Sequence, residues 1–115
     1  MKKIFFVLVF ACGLLIQGIV FAHPPSKIDI TFDKKTSTLK AVIYHSTSNP
    51  ARHYINKVDI GINGKEVMSD NITNDADKMK QIVTYKMSQI KTGDVVSVEG
   101  YCSISGNRTA SINIE

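Results

Sequence analysis

The sequence predicts an all-β protein, a seven-strand immunoglobulin-like β-sandwich, and three observations carry that expectation. After residue 22 no apolar pattern of helical period extends for any length, whereas alternation of period two keeps recurring. The alternating runs are short and are separated by turn residues, among them Asn49-Pro50, Asn63-Gly64, Thr92-Gly93 and Ser105-Gly106. Seven such runs within about 90 residues is the strand density of a sandwich of two packed sheets.

Each run has its own reason. Lys27 to Phe32 alternates Ile28, Ile30 and Phe32 against Lys27, Asp29 and Thr31, and Asp33-Lys34-Lys35 turns the chain. Thr38 to His45 is a second, more apolar strand. Ser46 to Arg52 is a loop, and Tyr54 to Ile62 a third strand with Val58, Ile60 and Ile62 on one face. Asn63-Gly64 is a two-residue hairpin signal, because both residues tolerate positive φ. It leads into a short fourth strand, Lys65 to Ser69. The polar stretch Ser69 to Lys78 reads as a loop, and Met79 to Met87 as the fifth strand. Val96, Val98, Gly100 and Cys102 share one face of the sixth, and Thr109 to Ile114 forms the seventh.

The first 22 residues are of a different kind. Lys2 and Lys3 precede an apolar run from Ile4 to Leu15, and Val20-Phe21-Ala22 puts compact residues where a signal peptidase cuts. The expected organisation is therefore a signal peptide, residues 1–22, and one domain, residues 23–115. The product is exported, periplasmic or secreted, with no membrane attachment after cleavage. An uncleaved anchor and lipid attachment at Cys12 fit less well. The apolar run is broken at Gln17-Gly18, and Val9-Phe10-Ala11-Cys12 carries a bulky Phe.

Composition excludes one function class. The net charge of +4 falls to +2 without Lys2 and Lys3, and the remaining basic residues are scattered, with no block longer than Lys34-Lys35. Such a surface does not suit nucleic acid. Loss of Cys12 with the leader leaves Cys102 alone in a compartment that oxidises thiols, so no internal disulfide can form. Cys102 is then a packed core residue, an intermolecular bridge or a metal ligand.

The whole chain holds three histidines, His23, His45 and His53. His23 is the expected first residue after cleavage. His45 ends the second strand and His53 begins the third, so the loop between them can turn both towards one point. Cys102, near the end of the sixth strand, reaches the same region if it lies at the same end. Thiolate with imidazole suits iron, copper or zinc. The plainer reading of the same residues is three surface histidines and a buried thiol.

The segments Tyr44-His45, Asn49-Pro50, His53-Tyr54-Ile55 and Cys102-Ser103-Ile104-Ser105-Gly106 resemble the core motifs of superoxide reductases, including the catalytic domain of desulfoferrodoxin. The resemblance runs over essentially all of residues 23–115. It implies an immunoglobulin-like sandwich with one mononuclear non-haem iron, held by histidines in a plane and a cysteine thiolate on the axis. Carried onto this chain, the ligands are His23, His45, His53 and Cys102. The implied activity is reduction of superoxide, and the implied partners are superoxide and an electron-donor protein. The chain departs from the family pattern in several places, among them Ser46 where the family has the Pro of its His-Pro and the lack of any Trp. Ser105 stands at the family's fourth histidine, and Phe21-Ala22 at the Glu-Lys pair that precedes its first.

Two other functions remain open. Cleavage before His23 would free an α-amine that can chelate together with the imidazole, an arrangement suited to copper and to a carrier without turnover. A sandwich that keeps the fold but has lost its metal, acting as a binding module, is the other, since fold alone does not set function.

Overall fold

The computed structural model of the chain describes residues 23–50, 52–73 and 79–115. The expected leader lies outside the described residues. Seven strands follow in order: β1 Lys27–Asp33, β2 Thr38–Tyr44, β3 Ile55–Ile62, β4 Lys65–Asn71, β5 Lys80–Lys86, β6 Val95–Cys102 and β7 Asn107–Asn113. They form two antiparallel sheets, one ordered β1-β2-β5 and the other β4-β3-β6-β7. All seven expected strands are present. The differences are at the edges: β4 runs on to Asn71 through residues read as loop, β2 stops one residue before His45, and β7 starts earlier, at Asn107. Polar side chains on outward positions of an edge strand do not interrupt a backbone ladder, so the extension of β4 costs little.

In an immunoglobulin constant domain the fourth strand lies beside the fifth. Here β4 pairs instead with β3, across the Asn63-Gly64 turn. Both turn residues have positive φ, 52° and 83°, as a tight primed hairpin turn requires. A two-residue connection leaves β4 no length with which to cross to the other sheet. The sheets meet through the faces the alternation marks: Leu39, Ala41, Ile43 and Val83 from one, Val58, Ile60, Val96 and Val98 from the other. At their edges the Tyr85 hydroxyl of β5 donates to the Asp70 carboxylate of β4 at 2.7 Å, tying the sheets together.

The inward face of β6 sets the depth of one end of the sandwich. Gly100 has no side chain, and a Cβ placed there would stand 3.2 Å from Cγ2 of Ile43 and 3.6 Å from Cγ of Pro25. The two sheets and the segment before β1 thus converge at this glycine. Two residues further along β2 lies His45, and two further along β6 lies Cys102. Both strands run towards the same end, because Cys102 pairs with Ile55, at the start of β3 and just after His53.

Candidate metal centre

His45 continues the inward alternation of β2 past its last ladder residue, so its ring enters the end of the core and is 2% exposed. Its backbone is held by a bond from its N–H to the Met79 carbonyl, 3.0 Å. His53 is placed by the loop and by β6 together. The Asn49 carbonyl accepts from the N–H groups of Arg52, at 3.1 Å, and His53, at 2.8 Å, closing the turn that Asn49-Pro50 initiates. Ser103, just past β6, clamps the other side. Its hydroxyl accepts from the Tyr54 N–H at 3.1 Å and donates to the Arg52 carbonyl at 2.9 Å, and its own N–H reaches the Tyr54 carbonyl at 2.8 Å.

His23 arrives from outside both sheets, on the strap that precedes β1. The strap is docked by Pro25, which is buried, and by the Ser26 N–H bonded to the Tyr44 carbonyl at 2.8 Å. The result is a triangle of imidazoles. The ring centroids of His23 and His45 are 4.9 Å apart, those of His23 and His53 5.0 Å, and those of His45 and His53 4.6 Å. One donor nitrogen from each ring lies within 4.8 Å of the other two, so the three histidines could hold a metal ion.

Polar accounting fits such a group. His53 Nε2 is buried and has no hydrogen-bond partner among the described residues. A buried, unpaired imidazole nitrogen is costly unless something else satisfies it, and a metal ion held between the three rings would do so. His45 Nε2 meets the carbonyl oxygen of His23 at 3.2 Å. A carbonyl can only accept, so Nε2 carries the proton there. This bond of the second ring nitrogen to a backbone oxygen is the support that metal-bound histidines generally have.

Electrostatics favours the neutral rings a metal needs. Burial pushes the His45 pKa down, the bond to the His23 carbonyl opposes that, and the His53 and His23 rings push it further down. Burial also lowers the pKa of His53, with His23 adding to the effect. Neutral imidazole is the ligating form, so the shift keeps two donors available at neutral pH.

Of the four residues expected as ligands, the structure brings His23, His45 and His53 together. The plainer reading, three surface histidines and a buried thiol, holds for the exposed His23 and the buried Cys102 but not for His45, which the inward alternation of β2 carries into the core. Cys102 is a free, buried thiol, 7% exposed, at the same end of the sandwich on the inward face of β6. Its sulfur is not within the 4.8 Å group that the histidines form. Ser105 is exposed in the turn after β6.

The sequence marks Ser103 and Gly106 only as members of a motif and a turn, and nothing in it points to the bonds that Ser103 and Arg108 make or to the contact of Gly106 with Pro24. Fold and site together define a β-sandwich with a three-histidine group able to hold a metal at one end. No protein-family model and no curated protein matches the chain.

Proposed function

We propose that the protein is an exported metal-binding sandwich that holds one iron ion on His23, His45 and His53, with the Cys102 thiolate as a further donor. The observation that carries this reading is that every histidine of the chain contributes to one triangle of donors. Three neutral imidazoles make a borderline donor set suited to iron, copper or zinc. A thiolate supplied from β6 would bias the set towards iron, as the superoxide-reductase resemblance implies. Support for Cys102 comes from its place: same end, inward face, and paired with Ile55, two residues after His53.

Bound iron would supply the one-electron reduction of superoxide to hydrogen peroxide, with the electron from a donor protein and two protons from solvent. The chain's own residues hold and orient. His45 and His53 stay unprotonated through burial, Ser103 fixes the backbone beside His53, and the His23 carbonyl keeps the His45 ring from rotating. Ser105 contributes no imidazole where the family has its fourth, and the family's Glu-Lys pair has no counterpart. The reading is therefore metal binding first, with weak or absent reduction of superoxide.

Metal analysis and titration of protein purified from an exporting host test this. Fe(II), added without oxygen, binds the wild type, and His45→Ala and Cys102→Ser each abolish binding. Retained binding in Cys102→Ser, together with loss when the His23 α-amine is blocked, would establish the copper-carrier reading instead. That alternative draws on the position of His23, whose ring and carbonyl both lie at the triad. A wild type that binds neither iron nor copper marks a sandwich module that has lost its site.

A further inference from the structure

Building on the three-histidine metal site, we propose that Gly106 and Arg108, on the β6–β7 hairpin, are positioning residues that seat the strap carrying His23. His45 and His53 adjoin strands and are held by the sheets. His23 belongs to no strand, and the two residues after it are prolines, which have no N–H to offer a ladder. Ahead of Ser26, whose N–H bonds the Tyr44 carbonyl, the strap must therefore be held by shape and by its carbonyls.

The hairpin provides both. Gly106 has φ +92°, and a Cβ there would stand 2.9 Å from the Pro24 nitrogen and 3.1 Å from its Cα. Real Cβ atoms do not approach backbone so closely, so only glycine lets the strap lie flat on the turn. Arg108 donates from Nε to the Pro25 carbonyl at 2.6 Å, a charge-assisted bond to a residue that is itself buried. With Pro24 and Pro25 fixed, the His23 carbonyl reaches the His45 ring and the His23 ring completes the triangle. The hairpin that carries Cys102 thus also decides where His23 stands.

The molecule contains its own control. Gly93 has φ +94°, nearly that of Gly106, but a Cβ there would meet nothing within 4 Å. Gly93→Ala therefore imposes backbone strain alone, whereas Gly106→Ala imposes similar strain and displaces the strap. Each variant, purified from an exporting host, is titrated with Co(II), followed by its visible absorption bands, and melted in parallel. Gly106→Ala should lose at least as much thermal stability as Gly93→Ala. Only Gly106→Ala should weaken Co(II) binding, by about 10- to 100-fold, the range seen when supports of metal ligands are lost. Arg108→Ala should weaken it too, and Arg108→Lys, which keeps a charged donor, should recover part of the loss. Wild-type Co(II) affinity in both Gly106→Ala and Arg108→Ala overturns the inference, as does an equal loss in Gly93→Ala. A wild type that binds no Co(II) overturns the metal reading, and this inference with it.

Discussion

The Nε2–H of His45 donates to the backbone carbonyl of His23, 3.2 Å away and 22 positions earlier in the chain. The bond decides which nitrogen of a buried ring is left for chemistry. A neutral imidazole carries one proton, so with Nε2 protonated the lone pair available to a metal is on Nδ1. Nitrogen-15 NMR of the metal-free protein at neutral pH should find His45 as the Nε2–H tautomer. A diamagnetic ion such as Zn(II) should then shift Nδ1 and leave the Nε2 proton in place. Observation of the Nδ1–H tautomer would remove this assignment.

Acid should destabilise the metal-free protein. Burial lowers the pKa of His45 and of His53 below the ordinary histidine value of 6.5. As pH falls below that value the unfolded chain takes up protons before the folded one does, so stability falls with pH in that window. Above it both states are neutral and the contribution is flat. Thermal melts at pH 7.5 and pH 5, in buffers free of metal, should show the lower midpoint at pH 5. In His45→Gln the difference should shrink, because the most buried of the three rings no longer titrates. An unchanged difference in that variant would assign the acid sensitivity to other groups.

Ser103 ties two elements that adjoin the site. Its hydroxyl satisfies the Tyr54 N–H and bonds the Arg52 carbonyl, on either side of His53. Ser103→Ala leaves a part-buried backbone donor unpaired, at a cost of about 1–3 kcal/mol. Urea unfolding should register that loss, and metal affinity should fall in the same variant because the loop bearing His53 is freed. Ser111→Ala, at an exposed position of β7, should change neither.

Ser105 is exposed in the turn beside Gly106, and the proposed resemblance to superoxide reductases would set it against their fourth histidine. If the iron reading holds, Ser105→His should tighten Fe(II) binding and raise any superoxide reduction, since it adds an imidazole to an incomplete set. Iron titration and stopped-flow decay of superoxide measure the two effects separately. Equal affinity in wild type and variant would mean that the turn cannot bring residue 105 to the triad.

The alternation that buries Val58 and Ile60 in β3 and Val96 and Val98 in β6 was legible residue by residue, because a strand puts every second side chain on one face whatever its neighbours are. So were the Asn63-Gly64 hairpin and the turns at Gly93 and Gly106, where positive φ leaves few alternatives to glycine or asparagine. For β2, apolar at Val42 and Tyr44 as well, the inward face and with it the burial of His45 emerge only in the structure. The sequence by itself thus determined strand count, turn positions and the three histidines from which a site can be made. Tertiary structure alone decided that the His23 carbonyl meets the His45 ring and that Gly106 lies against Pro24. Each of these joins residues far apart in the chain, and such contacts depend on how two sheets stack and where a strap docks. Local propensity carries no information about that, because period and turn chemistry describe a residue's own strand and not the strand across from it.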